Sequence, residues 1–198
     1  MKKLFFGIFV CLLCISCIDN QKFKDGDIIF HTSKSSQSKV IQEITNSKYS
    51  HVGIIITINN ELHVFEAVQP VKLTKLDLFI NRGLDNKYTV MRYNNSISAN
   101  QIKEMKSFGK SLIGKPYDLQ FKWDNNKIYC SELVWKIYNV GNIRLCEPKQ
   151  FNDYDLTSKS AIKMIENRYK MNFNYNEMVV SPAQLANSNQ LHIIYDNY

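Results

Sequence analysis

Apolar residues along the chain fall into two patterns. Short runs rich in Val, Ile, Phe and Tyr occupy residues 28–30, 50–58, 61–68, 88–93 and 191–195, and each predicts a strand. Asn59-Asn60 predicts a hairpin turn between the second and third, and Asp25-Gly26-Asp27 a turn that opens the first. Elsewhere the apolar positions recur every three or four residues, which is helical spacing. Val40, Ile41 and Ile44 do so within residues 36–45, and Ile102, Met105, Phe108 and Leu112 within 98–112, where Gly114-Lys115-Pro116 ends the helix. Leu133, Val134, Ile137 and Tyr138 share one face of a helix over 130–138. Ile162 and Ile165 mark a weaker helix over 158–169, residues 74–80 a short one, and Ser181-Pro182-Ala183 the start of another. No repeat, low-complexity tract or linker interrupts the series, so residues 25–198 are expected to form one α+β domain.

The first seventeen residues follow a different rule. Lys2-Lys3 precede an apolar run from Leu4 to Ile15, 12 residues long. A spanning helix needs about 20, so the layout is that of a secretory signal. The run ends at Ser16-Cys17, which resembles the lipobox of bacterial lipoproteins, although Cys14 stands where that motif usually has Leu. The resemblance implies cleavage of residues 1–16, lipidation of Cys17, a tether over 17–24 and a membrane anchor. An ordinary signal peptide cut nearby is the alternative. Both readings export the protein to the cell envelope.

Charge adds little. The 198 residues carry 25 basic and 18 acidic side chains, a net +7, and loss of Lys2 and Lys3 leaves +5. The basic residues form no run of five and no nucleic-acid motif, so attraction to an anionic membrane or wall is the most they support. Hydrophobic residues at 44% exclude wholesale disorder. No HExxH, CxxC or close histidine pair occurs, and neither a metal nor another cofactor is expected.

Three residues carry candidate chemistry. Cys130 opens a predicted helix, where the helix dipole favours the thiolate and the backbone N–H groups of Cys130 and Ser131 could hold an oxyanion. His51 lies on a predicted strand beside Gly53, whose missing side chain leaves room next to the imidazole. Glu66 sits on a strand apolar on both faces, so a buried carboxylate there needs a partner. Pairing through the Asn59-Asn60 turn makes His51 and Glu66 cross-strand neighbours on one face, offset by two residues. Nucleophile, base and orienting carboxylate would then be present together. Taken singly, each has a plainer reading: a buried thiol, a core histidine, a surface glutamate.

The strings DGDIIF (25–30), YSHVGI (49–54), FEA (65–67), GKPYD (114–118), YCSELVW (129–135) and SPAQLANS (181–188) resemble the permuted papain-fold amidases. These form the YiiX/YaeF-like branch of the NlpC-type cysteine hydrolase superfamily, and the likeness runs from about Phe23 to Ile194. In this branch the histidine strands precede the cysteine helix, as His51 precedes Cys130 here. The resemblance implies a circularly permuted papain-like fold, with an antiparallel sheet packed on helices. It also implies Cys130 as nucleophile, His51 as base and Glu66 as the residue that orients the imidazole. Tyr49 and Tyr117 match motif aromatics near the family's cleft and, with Ser131, become oxyanion or substrate candidates. The implied activity is a cysteine amidase acting through an acyl-enzyme on a cell-envelope substrate, with wall-peptide amides and lipid or protein acyl groups both in view. A catalytically idle wall- or lipid-binding lipoprotein on the same fold is the non-enzymatic alternative. Catalysis also requires Cys146 to be free, because a disulfide to Cys130 would remove the nucleophile.

Overall fold

The computed structural model describes residues 22–198; the expected signal segment and the expected lipidation at Cys17 lie outside them. Eight strands occur among these residues: β1 (Ile28–Ser33), β2 (His51–Ile58), β3 (Glu61–Ala67), β4 (Val71–Lys75), β5 (Gly83–Tyr93), β6 (Lys149–Gln150), β7 (Met178–Val179) and β8 (Leu191–Asp196). Six of them build one antiparallel sheet in the order β4-β3-β2-β1-β5-β8, while β6 and β7 form a separate small ribbon. The helices are α1 (Ser38–Thr45), α2 (Leu76–Asn81), α3 (Ala99–Ser111), α4 (Cys130–Val140), α5 (Lys159–Tyr169) and α6 (Pro182–Ala186). The fold is α+β, as the apolar pattern predicts.

Strand alternation gives the sheet two buried faces. Ile28, Phe30, Val52, Ile54 and Phe65 pack with Leu133, Val134 and Ile137 of α4, Met105 of α3 and Leu185 of α6. On the other face Ile29, Ile55, Val64 and Val90 pack against Leu76, Phe79 and Ile80 of α2. Leu133, Val134, Ile137 and Tyr138 are each at most 1% exposed, and burial of such side chains contributes about 1.5–3 kcal/mol apiece. The Tyr138 hydroxyl also donates to the Gly26 carbonyl in the turn before β1. These contacts clamp α4 to the sheet and fix where its first residue, Cys130, stands.

The β2–β3 hairpin turns at Asn59 and Asn60, both with positive φ, the conformation that two-residue hairpins use. Gly53 lies directly opposite Glu66, so His51 is offset from Glu66 by two positions, as the pairing argument requires. The space left by the missing Gly53 side chain is filled from β3 itself. A Cβ there would stand 2.4 Å from Val64 Cγ1 and 2.7 Å from the Phe65 carbonyl oxygen. Gly53→Ala is therefore expected to cost about 1–3 kcal/mol through overpacking, read as a lowered urea midpoint at unchanged m-value.

Three local departures from the sequence pattern have plain causes. The helix predicted over 74–80 begins only at Leu76, because Val71–Lys75 pairs with β3 as an edge strand. Strand β5 starts at Gly83 rather than residue 88; residues 84–87 are exposed and polar at three of four positions, so they show no strand alternation. The two-residue strands β6 and β7 are too short to leave a periodic signal.

Candidate active site

Antiparallel pairing places His31 opposite His51 on one side of β2, and Glu66 opposite Gly53 on the other. The His51 ring stacks on that of Phe79 from α2, with centroids 5.5 Å apart and planes at 26°. Its Nε2 is 2.9 Å from Oε2 of Glu66, a side chain with no solvent exposure. The second carboxylate oxygen, Oε1, accepts from the Thr74 hydroxyl and from the Arg82 guanidinium. Glu66 thus has the partners that burial of a charge demands. Burial alone would raise its pKa, but hydrogen bonding with His51, the charge on that ring, Thr74 and Arg82 outweigh burial and hold it at about 2.

Cys130 approaches from the opposite face of the sheet. Only 3% exposed, it is the first residue of α4 and stands near enough to the His51 ring for each group to shift the other's titration. With Nε2 held by Glu66, Nδ1 is the ring nitrogen left for the thiol. Burial pushes the thiol pKa up, but the His51 hydrogen bond and charge, with backbone N–H groups of Val52 and Ser131 directed at the sulfur, bring it below the ordinary value. Burial likewise opposes a charged His51, yet the hydrogen bonds to Cys130 and Glu66 raise its pKa to about 9. A thiolate–imidazolium pair is the state this geometry favours.

His31 completes the surroundings of the ring. It is 1% exposed, its ring centroid is 5.1 Å from that of His51, and neither ring nitrogen has a hydrogen-bond partner. Burial first, and then the charge of His51, lower its pKa to about 2, so it stays neutral beside a cation. Gly83 makes room for it: a Cβ there would come within 2.6 Å of His31 Nδ1.

The remaining predicted site residues separate. Tyr117 reaches the site: its hydroxyl accepts from Gln37 Nε2 at 3.2 Å, and its side chain lines one cavity with Cys130 and another with His51. The Ser131 hydroxyl is committed to the Val180 carbonyl at 2.7 Å, and its backbone N–H faces the sulfur. Tyr49 is not brought to the site. Its hydroxyl donates to Thr89 Oγ1 at 2.8 Å and its ring packs on Phe30, so its role is in the core. Cys146 is a free thiol, as is Cys130, with its pKa pushed up to about 11 by burial.

Sequence reasoning missed Thr74, Arg82, Gln37 and Arg168, whose Nη2 donates to Gln37 Oε1 at 2.8 Å. Arg82 caps the end of α2 and Arg168 lies in the last turn of α5. Nothing in a single sequence distinguishes such residues from ordinary surface cations. The unpaired carboxylate at position 66 was the one signal that a cation or donor must come to meet it.

A family model described as permuted papain-like amidase enzyme, YaeF/YiiX, C92 family, matches residues 22–195. The chain belongs to this family. It is 41% identical over 167 residues to the uncharacterized protein YiiX of Escherichia coli, covering 84% of this chain and 83% of that protein. A solved structure described as the metalloprotein YiiX of Escherichia coli has a TM-score of 0.86 at 39% identity, covering 89% of this chain and 99% of that one. The permuted papain-like fold expected from the motif strings is therefore the fold of this chain. Among the described residues no group of three or more His, Cys, Asp or Glu side chains is arranged to hold a metal ion. Here His51 Nε2 and both Glu66 oxygens already have protein partners.

The charged pair sets an expected pH profile of stability. Glu66 has a depressed pKa, so its contribution is complete above the ordinary 4.5 and is lost as pH falls toward 2. His51 has a raised pKa, so its contribution is complete below 6.5 and is lost as pH rises toward 9. The two describe one interaction, whose stabilisation is greatest between those limits. Urea midpoints measured from pH 3 to 9 should trace a dome whose alkaline limb flattens in His51→Ala; an unchanged alkaline limb would contradict the assignment.

Proposed function

We propose that the protein is a cysteine hydrolase that cleaves amide bonds through Cys130, His51 and Glu66. The supporting observation is the His51 ring held at Nε2 by a buried carboxylate, with the Cys130 thiol near enough to shift its titration. The thiolate attacks the substrate carbonyl, and a sulfur–carbon bond forms as the carbon–nitrogen bond breaks. The His51 imidazolium gives its proton to the departing nitrogen. Water then attacks the thioester, His51 accepts its proton, and the carboxylic acid leaves. Glu66 holds the ring in the orientation that keeps Nδ1 toward the sulfur, and Arg82 and Thr74 hold Glu66. Tyr117, whose hydroxyl accepts from Gln37, retains its own hydrogen to donate to the developing oxyanion. The donor set does not fit a metal ion, and every step uses the protein's own groups.

The sequence pattern at residues 1–17 supports the remainder of this reading: an exported protein of the cell envelope, anchored through lipid at Cys17 and acting on an amide- or acyl-containing substrate there.

Intact-mass measurement of protein quenched in acid during turnover of activated amides and thioesters tests the chemistry. One acyl group should be found on Cys130 and none on Cys130→Ala. Turnover without any adduct at Cys130, or an adduct on Cys146 instead, would refute the assignment.

A further inference from the structure

A cation at the end of α5 reaches the candidate active site through one amide. Arg168 lies in the last turn of α5, and its Nη2 donates to Oε1 of Gln37 at 2.8 Å. Nε2 of the same amide donates to the Tyr117 hydroxyl at 3.2 Å. Gln37 is that hydroxyl's one oxygen or nitrogen partner among the described residues. All three side chains line the cavity of His51, and Tyr117 lines that of Cys130 as well.

Neither Gln37 nor Arg168 serves the ordinary structural use of its position. Gln37 is the N-cap residue of α1, where a short side chain usually accepts from the first turn, yet it makes no capping bond. Arg168 forms no salt bridge among the described residues. Its guanidinium is held by other means. Nη1 donates to the Leu119 carbonyl at 3.0 Å, and Cζ stands 5.4 Å from the centre of the Phe121 ring. Gln120 Nε2 donates to the Arg168 carbonyl at 3.1 Å, so the loop that follows Tyr117 holds the backbone there too.

An amide has nearly the same shape either way round, but its two ends differ in polarity. A guanidinium has only donors, so a fixed Arg168 takes the amide oxygen. The NH₂ end is then turned to Tyr117 and donates to it. A flipped Gln37 would set NH₂ against guanidinium N–H, and its oxygen would take the Tyr117 hydrogen. With the amide held, one lone pair of the Tyr117 oxygen is occupied and the hydroxyl hydrogen is left for a group in the cavity. We propose, on the reading of Tyr117 as oxyanion donor, that Gln37 and Arg168 are positioning residues that fix the direction of its hydrogen bond before substrate arrives. No proton moves along this relay. A donor set in advance undergoes no reorganisation as charge develops on the carbonyl oxygen, and that is the source of its effect.

Gln37→Glu inverts the polarity at nearly constant shape. The carboxylate still accepts from Arg168 and also accepts from Tyr117, so the joint stays and the donor is lost. Two reactions of the full chain at Cys130, each followed by intact mass, read the difference. Acylation by the acetyl thioester of 5-thio-2-nitrobenzoate passes through an oxyanion; alkylation by iodoacetamide needs the same thiolate and forms none. Acylation should fall by about 10²-fold in Tyr117→Phe and by at least about tenfold in Gln37→Glu. Alkylation at neutral pH should stay within about threefold of wild type in both. In the Tyr117→Phe background Gln37→Glu should lower acylation no further, the non-additivity expected of action through the hydroxyl. Arg168→Met, which frees the amide to turn, should show a smaller loss that also vanishes in that background. Wild-type acylation in Gln37→Glu or Arg168→Met, equal losses of acylation and alkylation, or a further loss on top of Tyr117→Phe would overturn the positioning role and leave the nucleophile standing. Wild-type protein that takes up no acetyl group on Cys130 would overturn this proposal together with the hydrolase reading beneath it.

Discussion

Replacing Cys130 with alanine is expected to lower kcat/KM for amide or thioester hydrolysis by about 10⁴-fold or more, with the fold intact. The sulfur forms the only covalent bond to substrate in the proposed cycle, and no neighbouring side chain replaces it. Cys146, the other described thiol, is half-buried, and burial raises its pKa. The structural cost is small because alanine keeps the Cβ at the start of α4, and the helix is held by Leu133, Val134, Ile137 and Tyr138. Circular dichroism and a urea midpoint close to wild type would accompany the loss. Substantial residual hydrolysis in a folded Cys130→Ala protein would exclude the covalent route.

Glu66→Ala should damage both stability and activity. The carboxylate joins His51, Thr74 and Arg82, and Arg82 Nε already lacks a partner in the wild type. Removing one member of a buried ion pair strands the other, at a cost of about 3–5 kcal/mol. For a chain of this size that corresponds to a Tm lower by roughly 6–20 °C. Glu66→Gln separates the two effects. Its amide oxygen can still accept from Thr74 and Arg82, so less stability is lost. Its amide NH₂ would then donate to Nε2 of His51, which places the ring proton on Nδ1. A ring protonated there and neutral has no lone pair for the thiol proton, so activity should fall by about 10²–10⁴-fold. Thermal melts and steady-state kinetics on the two variants check this together. Equal activity in Glu66→Gln and wild type would show that the carboxylate does not set the tautomer.

The elements that build the site were legible in the sequence where periodicity was strong. The β-branched runs gave β1, β2 and β3, the Asn59-Asn60 turn set the register, and that register brought Glu66 to His51. The helical face of Leu133, Val134 and Ile137 indicated that α4 would bury itself and carry Cys130 with it. Chain geometry alone did not bring Cys130 to His51, since the contact joins a helix to the far side of a strand end. Motif order supplied that link. Edge strand β4 was hidden because Val71–Lys75 is only five residues long and runs straight into α2. Tyr49 was misplaced toward the cleft because an aromatic beside the histidine looks the same in sequence whether it faces substrate or core; here Thr89 and Phe30 claim it. Arg82, Thr74 and Gln37 act through contacts made only after the sheet and helices assemble, and single residues of that kind leave no spacing to read.

The most direct test of Cys130 and His51 as one charged pair is the rate of Cys130 alkylation by iodoacetamide from pH 4 to 10, in wild type and in His51→Ala. A thiolate stabilised by the imidazolium should react rapidly well below the ordinary thiol pKa of about 8.5, with little further rise through neutrality. The His51→Ala protein should lose that low-pH reactivity. A rate that climbs about tenfold per pH unit up to about pH 8.5, in both proteins alike, would contradict the pair and with it the proposed mechanism.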